Sequence, residues 1–104
     1  MFKDFNKTPY KKEYLNIRRS IFKKMCQTRF FELEVQKNRK ISKIKNLIYL
    51  SLGQEAVYST ISEVFKNSNV FFQHRGHGIY LSFGGNPKKL RDELLGLKSG
   101  TNKG

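Results

Sequence analysis

Between Tyr14 and about Val35 the apolar residues Tyr14, Ile17, Ile21, Phe22 and Met25 recur at intervals of three and four, with Lys, Arg and Gln between them. That period matches one face of an α-helix, so the pattern predicts an amphipathic helix over this stretch. Arg18, Arg19, Lys23 and Lys24 fall mainly off the stripe and are expected on a solvated face, the alternative being a nucleic-acid-binding face. In QKNRKISKIKN, residues 36–46, five basic residues accompany only two apolar ones, and the helix should give way to a surface connection. A second helix is expected to open at Ser51. Gln54 follows three residues later in the manner of a capping box, and Val57, Ile61, Val64 and Phe65 form a stripe that would pack on a neighbour.

Lys66-Asn67-Ser68-Asn69 closes that element with turn-forming residues. The next residues, Val70-Phe71-Phe72, are apolar and too few for a helix, and they read as a short buried parallel strand. The expected fold class is therefore α/β, mostly helical with one strand at 70–72. The segment QHRGHG would then stand at the strand's C-terminal end, which is where open α/β sheets bind ligands. Gly84-Gly85 marks a turn. Asn86-Pro87 reads as an N-cap and first helical residue, and Leu90, Leu94 and Leu97 would give the following helix a buried face.

Composition narrows the picture. A chain of 104 residues makes at most one small domain and cannot by itself enclose a large cleft. The formal net charge of +13 favours anionic partners such as phosphates, nucleic acid or an acidic protein. Fourteen of the 21 Lys and Arg precede Gly53, whereas all 8 glycines lie at or after it, so the basic character does not belong to the histidine segment. The single cysteine, Cys26, cannot form an internal disulfide and is expected to be a buried structural thiol. No apolar run approaches the ~18 residues of a membrane span, and the first residues lack a signal-peptide core, so a cytoplasmic protein is expected.

QHRGHG admits several chemistries. His74 and His77 could converge on a metal, but a zinc site takes three or four protein ligands, and neither a Cys pair nor a third His is available. Nucleophilic catalysis lacks a G-x-S-x-G elbow, and the only thiol falls within the first helix. Phosphate suits the residue types best. Arg75 offers a fork of donors, His74 and His77 offer ring N–H groups, and Gly76 and Gly78 let backbone approach closely, as a diphosphate would require. The same residues equally suit a hydrogen-bonded core histidine, a structural ion pair and simple turns, and composition does not separate the two readings.

The order of motifs adds what composition lacks. MCQTRFFE, YLSLGQEAV and VFFQHRGHGIYLSFGGNPKKLRDELLGLKSGTNKG, taken together over residues 14–104, resemble the N-terminal region of the alpha subunit of thiamine diphosphate-dependent 2-oxo acid dehydrogenases, the pyruvate, branched-chain and acetoin type. The resemblance implies an oxidative decarboxylation of a 2-oxo acid with acyl transfer to a lipoyl group. It implies thiamine diphosphate with magnesium as cofactors, and a beta subunit and a lipoyl acyltransferase as partners, with no membrane. By position in the motifs, Tyr49, His74 and Arg75 are the implied cofactor-binding residues and His77 the implied catalytic residue. Tyr49 stands where many relatives carry histidine, and a phenol cannot carry imidazolium charge near neutral pH.

The resemblance also divides the chain into a basic N-terminal helical segment with its connection, 1–46, and the start of the thiamine diphosphate-binding α/β domain, 47–104. That domain is expected to be truncated before the magnesium-binding motif, so the chain alone should be inactive. The alternative outside this family is a small basic nucleic-acid-binding or ribosome-associated protein, supported by the net charge of +13 and the 9 Phe and 5 Tyr.

Overall fold

Residues 11–41, 43–44 and 46–104 are described by a computed structural model, which builds on one long helix. This helix, α1 (Lys11–Lys40), has 30 residues and is about 45 Å long at 1.5 Å per residue. It continues past the Val35 limit expected from the apolar pattern. Lys37, Arg39 and Lys40 occupy its last turn, where cations meet the negative end of the helix dipole. The Arg39 guanidinium also donates from Nη1 to the carbonyl oxygen of Ile48 at 3.1 Å, which ties the helix end to the chain that follows.

The connection after α1 is anchored by burial at two positions. Ile44 and Ile48 join Val35 in a small core, with Phe31, Leu50 and Leu94 packed against it. The expectation of a purely surface connection over 36–46 is thus corrected, because its first residues are helical and Ile44 is buried; Ser42 and Lys45 lie outside the described residues.

Among the described residues three short helices follow: α2 (Glu55–Val64), α3 (His77–Ser82) and α4 (Pro87–Leu94). The first two pack on α1 and on each other. The last reaches the core through Leu94. Asn86 caps α4 as its sequence predicts: its side-chain oxygen accepts from the backbone N–H groups of Lys88 at 2.9 Å and Lys89 at 3.2 Å, with Pro87 in the first helical position. Of the leucines expected on its buried face, Leu90 is buried and Leu94 half-buried, while Leu97 lies beyond the helix and is exposed.

The α/β expectation is overturned. Among the described residues there is no strand, and every regular element is helical. Val70 to Phe72 forms an irregular segment in which Phe71 is 98% exposed. An extended segment becomes a strand only when a neighbour satisfies its backbone N–H and C=O groups, and among the described residues no segment pairs with this one.

The orientation of α2 also differs from its pattern. Its buried residues are Glu55, Ser59 and Ser62, whereas Val57, Val64 and Phe65 are exposed. Polar contacts with α1 account for this. Arg29 Nε donates to Glu55 at 2.6 Å, Lys24 Nζ meets Ser62 Oγ and Glu63 each at 2.8 Å, and Ser20 donates to Glu63. The small serines let the two backbones approach. Glu55 and Glu63 are both held well below the usual carboxylate range, at about 2. The first is held chiefly by the Arg29 hydrogen bond, the second chiefly by that of Lys24, and both act against the opposing effect of burial. Ser51 does not cap α2 as the capping-box pattern predicts. The N-cap is Gln54, without a side-chain cap bond, because the Ser51 hydroxyl is turned inward.

Cys26 is half-buried on α1 and unpaired. No helix among the described residues is long and apolar enough to cross a membrane.

Candidate functional site

The two motif segments, 49–54 and 73–78, meet beside the C-terminal half of α1. Gly53 turns the first of them with φ +88°, a backbone conformation that side-chain-bearing residues rarely adopt. Arg75 bridges the segments: its Nη1 donates to the carbonyl oxygen of Leu50 at 2.6 Å, and its guanidinium carbon lies 5.7 Å from the centre of the Tyr49 ring. His74 sets its ring edge-on to the same tyrosine, with centroids 4.6 Å apart and planes at 64°. The Tyr58 hydroxyl, from α2, lies 2.5 Å from Gln54 Oε1 and 3.1 Å from the carbonyl oxygen of Arg75, so its one proton is shared between the two segments.

Tyr49, His74 and Arg75 therefore come together as an exposed cluster. The guanidinium has no carboxylate within ion-pair distance among the described residues, and one of its N–H groups is committed to Leu50. The remaining donors are available to an anion. A fork of this kind, with an imidazole alongside, fits a diphosphate better than it fits a neutral ligand.

His77 takes a different position. It begins α3 and turns inward, with Nδ1 at 3.2 Å and 3.3 Å from the two carboxylate oxygens of Glu32, and its ring meets Phe31 edge-on at 6.2 Å. Together with His74 it lines a cavity of about 450 Å³ that also includes Gln73, Gly76, Tyr80 and Glu93. The four residues singled out from sequence thus fall into a surface trio and one inward imidazole, linked through that cavity by His74. A wider groove of about 500 Å³ between α1 and α4 is mainly apolar and contains none of the four.

Glu32 escaped the sequence reading. It is completely buried on α1, on the face shared by Thr28 and Val35, and it gathers both motif segments. Its carboxylate accepts from the backbone N–H of Ser51 at 2.9 Å, from the Ser51 hydroxyl and from His77. The Ser51 oxygen in turn accepts from the backbone N–H of Gly78 at 3.1 Å. Burial pushes the Glu32 carboxyl up, but the hydrogen bonds from His77 and Ser51 outweigh it and hold the group below the usual range. In MCQTRFFELEV helical spacing puts Glu32 beside Thr28 and Val35 but also beside Arg29, so spacing alone does not mark it as buried.

The arrangement is not that of a serine hydrolase. Ser51 donates to the carboxylate, not to the histidine, so the hydroxyl–imidazole pair of a serine hydrolase is not formed. Among the described residues no three His, Cys, Asp or Glu side chains converge as metal ligands would.

Comparison with known proteins bears on the same segments. The chain is 32% identical over 97 residues to the pyruvate dehydrogenase E1 component subunit alpha of Rickettsia prowazekii, covering 92% of this chain and 28% of the relative. It is 33% identical over 97 residues to that of Rickettsia conorii, with the same coverage of 92% and 28%. To the mitochondrial subunit of Schizosaccharomyces pombe it is 31% identical over 85 residues, or 81% of this chain and 21% of the relative. The chain thus spans about a quarter of the length of the curated relatives it matches. No family model matches it, and no solved structure matches it. The GQEA and HRGHG segments that Glu32 draws together are accompanied by likeness along nearly the whole chain, which over that length is similar to part of the pyruvate dehydrogenase E1 component alpha subunit.

Proposed function

We propose that this chain contributes the diphosphate-facing part of the cofactor site in a thiamine diphosphate-dependent 2-oxo acid dehydrogenase. In that reading it acts with a beta subunit and a lipoyl acyltransferase in oxidative decarboxylation of a 2-oxo acid and acyl transfer to lipoyl. The observation that carries the proposal is Arg75, an exposed guanidinium held by Leu50 and placed beside Tyr49 and His74, with no carboxylate to neutralise it among the described residues. Thiamine diphosphate with magnesium supplies the electron sink when bound; the protein supplies position and electrostatics.

Within this reading residues 47–104 carry the contacts to the cofactor, and residues 1–46 supply Glu32 and the helix that supports the loop. Arg75 binds the anionic end through directional, charge-assisted hydrogen bonds. His74 and Tyr49 border the same anion. His77, lining the cavity behind them, presents a ring nitrogen to the reacting group.

Calorimetric titration of thiamine diphosphate with magnesium tests the proposal, first into the chain with the candidate beta subunit and then into the same pair with the chain joined to the magnesium-binding region of a family member. Saturable binding is the expected result in the joined form, weakened by Arg75→Ala. Absence of binding there overturns the reading, and unchanged affinity in Arg75→Ala removes that residue from the site.

A further inference from the structure

A buried carboxylate that accepts from three donors on two different segments does more than fill space. We infer that Glu32 is the positioning residue for His77: it holds the imidazole as the Nδ1–H tautomer and so leaves Nε2 as the nitrogen that meets whatever enters the adjoining cavity. The inference rests on the reading that His77 belongs to the cofactor site, and it adds the residue through which His77 is set.

The hydrogen-bond directions determine the tautomer. Glu32 is completely buried, and an ionised carboxylate there can only accept. The Ser51 N–H and hydroxyl already donate to it, and the Ser51 oxygen is left to accept from Gly78. His77 Nδ1, at 3.2 Å and 3.3 Å from the two oxygens, must therefore carry its proton toward Glu32. The edge of Phe31 limits rotation of the ring from the side. In a neutral ring so held, Nε2 is an acceptor, and any proton it later takes remains balanced by the carboxylate behind it.

The same carboxylate makes the site a single unit. One side chain on α1 fixes Ser51 of the GQEA segment, His77 of the HRGHG segment and, through Ser51, the N–H of Gly78 in the first turn of α3. Loss of Glu32 thus misplaces the imidazole without removing any group of the exposed Tyr49–His74–Arg75 cluster.

The test is the pair of ¹⁵N shifts of His77 in the histidine-labelled chain, read at a pH where the ring is neutral. Free imidazole side chains favour the Nε2–H form, so a protonated Nδ1 with a bare Nε2 is the expected and diagnostic result. Glu32→Gln should return the ring toward Nε2–H, because an amide can donate as well as accept. Ser51→Ala should leave it as Nδ1–H, since the contact between Glu32 and His77 does not pass through the hydroxyl. An Nε2–H ring in the unaltered chain, or an unchanged Nδ1–H ring in folded Glu32→Gln, overturns the inference. If circular dichroism shows Glu32→Gln unfolded, the unaltered chain and Ser51→Ala decide. An Nδ1–H ring in a chain that never binds thiamine diphosphate keeps the pair and removes the cofactor reading; an Nε2–H ring in a chain that does bind it removes the positioning role alone.

Discussion

The guanidinium of Arg75 lies 5.7 Å from the centre of the Tyr49 ring, close enough for the aromatic face to attract the cation. Tyr49 therefore acts on the arginine as well as on any ligand. An exposed cation–π contact contributes about 0.5–1 kcal/mol, so Tyr49→Leu should weaken anion binding by roughly two- to fivefold. Arg75→Lys should do more, because a lysine cannot donate to Leu50 and also present a planar fork. Loss of a charge-assisted hydrogen bond predicts a decrease of about tenfold or more. Titration calorimetry with thiamine diphosphate, magnesium and the beta subunit ranks the two variants; equal affinities for Lys and Arg would show that only charge is used.

Acid should loosen α2 from α1. Glu55 and Glu63 are lowered from an ordinary 4.5 to about 2 in the folded chain, so the unfolded chain binds protons at these groups before the folded chain does. Their contribution is complete above about 4.5 and is lost as pH falls from there toward about 2. Urea midpoints measured between pH 6 and pH 3 should fall over that window, and Glu63→Gln should flatten the fall. Midpoints independent of pH would mean that the contacts with Lys24 and Arg29 do not persist in solution.

The reversed face of α2 makes a sharper mutational test. Ser59 is fully buried while Val64 is 67% exposed, the opposite of what hydrophobicity alone dictates. Ser59→Leu forces three extra carbons into the α1 contact and should cost about 1–3 kcal/mol. Val64→Lys should change stability by no more than about 0.5 kcal/mol. Thermal melts of the two variants decide between this orientation and one with the apolar stripe turned inward.

These contrasts show what the sequence carried and where it stopped. The helices near 14–35 and after 51, and the capped start at Asn86-Pro87, rest on local spacing and local hydrogen bonds, and those signals were legible. The orientation of α2 depends on Lys24 and Arg29, which are close to Glu63 and Glu55 in space but distant in the chain, so a stripe of Val57, Ile61 and Val64 misled. Val70-Phe71-Phe72 had the composition of a strand, but pairing requires a partner segment that three residues cannot specify. At the candidate site, the motifs singled out Tyr49, His74 and Arg75, which cluster at the surface, and His77, which turns inward. Glu32 was missed because a carboxylate in a highly charged helix reads as surface until its donors on the other two segments are in place.

Close packing at the start of α3 yields the last prediction. A β-carbon added at Gly78 would overlap the Tyr58 ring and lie 3.1 Å from Ser51 Oγ, and Tyr58 is tied by its hydroxyl to the carbonyl oxygen of Arg75. Gly78→Ala can be accommodated only by moving Tyr58, Ser51 or α3 itself, so it should cost about 1–3 kcal/mol and also disturb Arg75 through the Tyr58 contact. Gly76 offers the control. A β-carbon there would overlap the Phe72 ring, but that ring is 55% exposed and can swing into solvent, so Gly76→Ala should cost less. Melting temperatures should therefore fall further for Gly78→Ala than for Gly76→Ala, and only Gly78→Ala should weaken thiamine diphosphate binding through displacement of Tyr58. The reverse order would mean that Phe72, not Tyr58, is the fixed neighbour of this loop.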